Sequence, residues 1–408
     1  MITSHFRVLC VAIVGVLLAP ALLSQPAFVH TSGTELIDAS GEPLLLRGTN
    51  LGNWLEPEGY MFHLEDSAQS PREIEDFTTE LIGPEKSEAF WKQWRDSYIT
   101  EADIDRIKAM GFNSVRVPIH WKFFTSDNAD GFRLLDRLVE WARKDHIYVI
   151  IDLHCAPGGQ TGTNIDDSYG YPWLYLSPEA QQQTIAIWHR IAAHYGREPI
   201  ILGYDLLNEP IPHFSQLQRF NTDLEPLYRC ISAAIREVDR NHVLILGGAQ
   251  WDSNFKVFGK PFDSNVMYTF HKYWTATDVS VIREYIEFRD KYNVPIWLGE
   301  SGENKDEWIA AFVKTLEDNH IGWCFWPYKK MDAASSEVSF DRPIHWDAIV
   351  ALSKMPAGTG NAEKRIAARP SPEDAQTAFD DLLNKIKFSN EKVNPGYVKA
   401  LGLAVQAP

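Results

Sequence analysis

Two glutamates stand where short apolar runs stop. Glu209 closes the run Tyr204-Asp205-Leu206-Leu207-Asn208, and Glu300 closes Pro295-Ile296-Trp297-Leu298-Gly299. Two carboxyl groups converging on one pocket suit retaining glycoside hydrolysis. One protonates the leaving oxygen and the other attacks the anomeric carbon, across a gap of about 5 Å. Taken singly, either glutamate could instead pair with an arginine at the base of a loop. Other polar groups sit on or just after apolar runs in the same way: Arg116 and His120, Asp152 and His154, Asn208, His271 and Tyr273, and finally Trp326. A purely structural scaffold has no need for that pattern at so many run ends. Two histidines among carboxylates also suit a metal-dependent hydrolase, but no HxH or HExxH spacing is present. Neither a metal nor another cofactor is expected.

The elements that must position these groups read as strands alternating with helices. The strand-like runs lie near residues 46, 116, 150, 204, 245, 268, 297 and 324. Most are nearly continuous apolar stretches, as parallel strands buried on both faces must be. Between them lie stretches with helical spacing, over residues 100–111, 134–142, 178–195, 215–238, 279–292 and 305–319. The first of these opens on Thr100-Glu101-Ala102-Asp103, a capping-box pattern, and closes at Gly111. Eight strands alternating with helices predict an α/β chain folded as a closed (β/α)₈ TIM barrel. An open doubly wound sheet is the rival, and no GxGxxG follows an early strand. A β-hairpin of residues 35–38 and 43–46, turning at Gly41, is expected before the barrel. Residues 357–369 read as a loop leading to a C-terminal helix over 371–387. A barrel unit takes roughly 30 residues. Glu209 and Glu300 are 91 positions apart, so they belong on strands four and seven, facing obliquely across the mouth.

The motifs in this order resemble the cellulase-like glycoside hydrolases of family five, a clan of barrels that uses two glutamates. They are Asn113-Ser114-Val115-Arg116-Val117-Pro118, Asp152-Leu153-His154, Leu207-Asn208-Glu209-Pro210, Phe270-His271-Lys272-Tyr273 and Trp297-Leu298-Gly299-Glu300. The resemblance implies that Glu209 is the acid/base and Glu300 the nucleophile. It implies that Asn208 holds the sugar 2-hydroxyl and that His154, His271 and Tyr273 hydrogen-bond in the pocket. Arg116 would orient the nucleophile, and Trp326 would floor the −1 subsite. The acid must keep its proton while its partner stays ionised. The charge of Glu300 is expected to raise the pKa of Glu209, and Arg116 to keep Glu300 charged. The opening Arg47-Gly48-Thr49-Asn50-Leu51-Gly52-Asn53-Trp54-Leu55 resembles the branch acting on β-1,3-glucans and related β-glucosides, with Asn53 where that pattern usually has glycine. A β-linked oligo- or polysaccharide is therefore the expected substrate. A mannan, the sugar head of a glycolipid, or carbohydrate binding without catalysis are the alternatives. Trp54, Trp121, Trp173, Trp274 and Trp326 are candidates to stack on sugar rings.

Composition sets the outer bounds. The 408 residues are 45% hydrophobic and 23% charged, enough for a large core and unlike a disordered chain. The net charge of −16 argues against a nucleic-acid partner. His5 and Arg7 precede an apolar run over residues 8–23, which reads as a secretory signal across residues 1–27. A single membrane anchor is the rival, and the polar Ser24-Gln25-Pro26 favours the signal. The remaining 28–408 is expected to be one catalytic domain, secreted or periplasmic, with no membrane span. Cys155, Cys230 and Cys324 are expected as buried free thiols rather than a disulfide framework.

Overall fold

A computed structural model describes residues 28–163 and 165–405; the signal expected over residues 1–27 lies outside the described residues. Two short strands come first, β1 (His30–Ser32) and β2 (Glu35–Ile37). Eight parallel strands follow: β3 (Arg47–Asn50), β4 (Ser114–His120), β5 (Tyr148–Cys155), β6 (Ile201–Asp205), β7 (Val243–Gly247), β8 (Val266–His271), β9 (Ile296–Glu300) and β10 (Gly322–Phe325). They pair in sequence, and β10 pairs with β3 to close the barrel. The fold is the expected (β/α)₈ barrel.

The helices form because their apolar residues recur every three or four positions and face the strands. Asp130–Asp145, for example, buries Phe132, Leu135, Leu138, Val139 and Ala142 on one side. Glu101–Met110 starts at a true capping box of Thr100 and Asp103 and stops at Gly111, whose φ of 105° is left-handed. The strands deliver two interiors. The lower one is apolar: Leu46, Ile150, Leu202, Val243, Ile245, Met267, Trp297 and Cys324 fill it, and Val29 and Leu36 of the N-terminal hairpin close it from below. The upper one is polar and holds the site.

Several boundaries differ from the sequence reading. The N-terminal hairpin pairs β1 with β2 around Gly33. The expected second arm, residues 43–46, turns at Gly41 and meets β2 only through an isolated bridge of Ile37 with Pro43 and the bond from the Leu44 N–H to the Leu36 carbonyl. Pro43 has no N–H to extend that ladder. The first barrel strand is Arg47–Asn50 rather than Leu44–Leu46, because the leucines sit beneath the barrel while Thr49 and Asn50 are buried in it. Helices Pro71–Ile82 and Pro84–Ser97 precede the helix at Glu101. Residues 362–368, in the stretch read as loop, are a helix of strong helix formers. A small sheet of β11 (Lys329–Met331), β12 (Val338–Phe340) and β13 (Lys392–Val393) adds to the C-terminal extension. The three described cysteines are unpaired, but Cys230 is exposed, so only Cys155 and Cys324 are the buried thiols expected. Cys230 lies on the outer face of the helix Asn221–Val238.

Candidate active site

Strand register places the site residues side by side. Asn50 lies beside Arg116 across β3 and β4, Asp152 beside Asp205 across β5 and β6, and His271 beside Glu300 across β8 and β9. The ladder slips by a residue at Ile119/His120 and at Phe270/His271. Such irregularities re-aim side chains near sites.

Arg116 is fully buried at the centre. Its Nε donates to Asp205 Oδ2 at 2.9 Å, Nη1 to Asn50 Oδ1 at 3.1 Å, and Nη2 to Asn208 Oδ1 at 2.9 Å. Nη1 also donates to Glu300 Oε1, and Nη2 lies 3.1 Å from Asp152 Oδ1. Burial works against its charge, but Asp152, Asp205 and Glu300 outweigh burial and hold the guanidinium well above its ordinary pKa. The same burial pushes Asp152 and Asp205 up to about 7, against the pull of Arg116. One cation thus fixes the second and fourth barrel strands to the nucleophile candidate.

Glu300 has its second oxygen, Oε2, bonded by the Tyr273 hydroxyl at 3.1 Å. Glu209 follows β6 in a left-handed turn with φ 44°, its N–H bonded to Asp252 Oδ2 at 3.1 Å. Left-handed backbone at a residue other than glycine is strained and persists where the surroundings impose it. His271 sits between the two glutamates, with Nδ1 3.0 Å from Glu209 Oε1 and 3.7 Å from Glu300 Oε2. One oxygen of each glutamate and a ring nitrogen of His271 all lie within 4.8 Å of one another. Burial raises the pKa of Glu209, opposed by His154, Arg116 and His213. This corrects the expected cause: the charge of Glu300 is not what lifts it. Burial also pushes His271 down to about 3 and His154 down to about 4, so both rings are neutral near pH 7.

His154 is bonded through Nδ1 to Asp152 Oδ2 at 2.7 Å, and its Nε2 lies 3.3 Å from Asn208 Nδ2. Its ring is parallel to Trp326, with centroids 5.5 Å apart. Trp326 directly follows β10 and donates from Nε1 to the Tyr60 hydroxyl at 2.7 Å. Gly52 passes so close beneath that a Cβ would overlap the indole, so only glycine fits there. Asn53 has φ 67°, which asparagine tolerates, and its Oδ1 accepts the Glu58 N–H at 3.0 Å.

The eight residues given a role by the resemblance meet in this region. Seven of them, Arg116 excepted, line a cavity of about 820 Å³. His120, by contrast, is off the cavity wall, its Nε2 2.9 Å from Asp167 Oδ2. Of the other tryptophans, Trp274 lines the cavity and is 71% exposed. Trp54 does not: it is a core residue whose Nε1 donates to the Arg95 carbonyl. Trp121 packs against the core, and Trp173 stands beside Tyr169, both off the cavity wall. Residues missed from sequence are Glu58, Tyr60, His213, Phe214, Trp251 and Glu303 on the wall and Asp252 behind it. Gly247-Gly248 after the fifth strand could have flagged Trp251 and Asp252, since such a turn ends an apolar run just as the others do.

Among the described residues, three groups have ligand-type atoms close enough to hold an ion: Glu209, His271 and Glu300; Glu56, Glu58 and His154; and His120, Cys155 and Asp167. In the first, the bonds to Arg116 and Tyr273 already occupy both oxygens of Glu300.

Residues 72–332 match the sequence profile of the cellulases, glycosyl hydrolase family 5. A β-xylosidase of Phanerodontia chrysosporium is 30% identical over 294 residues, which cover 70% of this chain and 59% of that protein. A glucan 1,3-β-glucosidase of Candida oleophila is 34% identical over 189 residues, 41% of this chain and 42% of that protein. The chain thus spans less than two thirds of the length of both. The crystal structure of an endogalactoceramidase superposes with a TM-score of 0.60 at 17% identity, over 92% of this chain and 84% of that one, a likeness of fold. Among the described residues no helix is long and apolar enough to cross a membrane.

Proposed function

The chain belongs to glycosyl hydrolase family 5, and from that membership we propose that it is a secreted retaining β-glycosidase acting on a β-glucan or related β-glucoside. The observation that carries the reading is the pair of glutamate oxygens within 4.8 Å of each other at the ends of β6 and β9. That spacing supports the close-set pair of a retaining enzyme. The names of the relatives, a glucosidase and a xylosidase, support a β-linked substrate.

Glu300, hydrogen-bonded by Arg116 and Tyr273, attacks the anomeric carbon. Glu209, whose pKa burial raises, gives its proton to the leaving oxygen as the glycosidic bond breaks. Glu209, now ionised, takes a proton from water, which displaces the Glu300 carboxylate and returns the original anomer. Trp326 floors the sugar, and Asn208 and His154 reach its hydroxyls. Proton NMR of the first product decides the stereochemistry. A β-linked substrate should release the β-anomer first; the α-anomer would sink the mechanism.

A further inference from the structure

The cavity is lined by different chemistry on its two sides, and we infer that the Glu209 side is a leaving-group subsite for an apolar aglycone in preference to a further sugar. This rests on the retaining reading above, which puts the leaving oxygen at the Glu209 carboxyl.

On the Glu300 side stand Glu58, the Tyr60 hydroxyl, His154 and Glu303, which is paired with Lys330 and whose carbonyl accepts from the exposed Trp274 indole at 3.3 Å. These supply the charged and hydrogen-bonding groups that a sugar requires. On the Glu209 side stand His213, Phe214 and Trp251. Two bonds stitch the last of these to the strand-six loop: the Trp251 N–H donates to the Ile211 carbonyl at 3.2 Å, and the Glu209 N–H donates to Asp252. The His213 and Phe214 rings meet the Trp251 indole edge-on, with centroids 5.0 and 6.2 Å away. A group leaving from Glu209 therefore extends over these rings.

The hydroxyls on that side have partners within the protein. Ser253 Oγ donates to the Gln250 carbonyl at 2.6 Å. Thr163 Oγ1 lies 3.1 Å from Thr161 Oγ1. The Lys272 ammonium rests over the Tyr285 ring, 5.1 Å from its centroid. That leaves the His213 imidazole and the Trp251 indole N–H, which has no partner among the described residues, as the polar groups best placed for a second sugar. Ile211, Trp251 and Asp252 all hold left-handed backbone, with φ of 58°, 55° and 58°. For an isoleucine and a tryptophan such conformations are strained, and they persist where the fold imposes them, commonly at ligand sites. Phe214 is 47% exposed beside them, an apolar surface continuous with the cavity.

Alkyl glycosides test this without changing leaving-group chemistry. A panel of 4-nitrophenyl β-glycosides first selects the sugar that the enzyme accepts. Methyl and octyl β-glycosides of that sugar, below micelle-forming concentration, are then compared with its β-1,3-linked disaccharide. Each buried methylene is worth about fourfold, so the octyl glycoside should exceed the methyl by at least about tenfold in kcat/KM. It should also exceed the disaccharide. Phe214→Ala, at an exposed position, and Trp251→Ala should each pull the octyl/methyl ratio towards one. Equal octyl and methyl rates in the unaltered enzyme, or a preference for the disaccharide, would overturn the inference and leave the glycosidase reading standing. No turnover of any glycoside or of soluble β-glucans would overturn both.

Discussion

At the lower end of the barrel, Ile150, Leu202, Val243, Ile245, Met267 and Trp297 pack against one another and onto Val29 and Leu36. At the upper end the same strands carry Asn50, Arg116, Asp152, Asp205, His271 and Glu300, as deeply buried but polar. The lower layer removes apolar surface from water and stabilises the fold at about 25 cal/mol per Å². The upper layer places three carboxylates around one guanidinium, and the desolvation of such a group can exceed its Coulomb attraction. The left-handed Glu209 and Trp251 add strain on the same side. One end therefore supports the other: apolar packing below holds charges above where water and flexibility would otherwise scatter them.

The comparison breaks most visibly at the glutamates. Glu209→Ala should lose about 10²–10⁴ of the rate on natural substrates, and Glu300→Ala at least as much, while urea midpoints stay within the range of the parent. If either variant kept most of its activity, the upper layer would have no catalytic claim on that residue. Arg116→Ala should fail in both respects. It leaves Asp152, Asp205 and Glu300 buried without their cation, a loss of about 3–5 kcal/mol, read by denaturant unfolding, together with loss of turnover. Ile245→Ala, in the lower layer, should cost about 2–5 kcal/mol yet leave kcat/KM at a temperature well below its melting point unchanged. A large fall in kcat/KM there would show that the two layers are not separable.

A smaller effect sharpens the electrostatic half of the contrast. In the proposed mechanism Glu209 acts as an acid only while protonated, and burial lifts its pKa. Activity should therefore fall as pH rises through that raised value, giving an alkaline limb in kcat/KM above the ordinary carboxylate range. With an aryl glycoside that needs no protonation, Glu209→Ala should lack that limb. An alkaline limb unchanged in the variant would assign it to another group.

The same contrast explains what the sequence revealed. The lower layer appears as continuous apolar runs, so seven of the eight barrel strands were read at or near their observed positions. The exception is β3, whose residues Arg47–Asn50 are polar because they already belong to the upper layer. The site residues legible in advance are polar positions on or just after the strands, such as Arg116, His271 and Glu300. Glu58, Phe214 and Trp251 come from loops, where no periodicity marks which side chains turn inward. Trp54 shows the converse error. It adjoins a strand end, yet its indole points into the core and bonds the Arg95 carbonyl, an orientation set by the helix Pro84–Ser97 that the sequence reading did not find.

The central claim is the division of roles between Glu209 and Glu300, and azide tests it most directly. With an activated aryl β-glycoside, Glu209→Ala should still form the covalent intermediate on Glu300 and then stall for want of a base. Azide, entering the space left by the side chain, should release a β-glycosyl azide. Glu300→Ala has no nucleophile, so azide attack from that face should yield only the α-glycosyl azide and no covalent intermediate by mass spectrometry. A β-azide from Glu300→Ala together with an α-azide from Glu209→Ala would reverse the assignment.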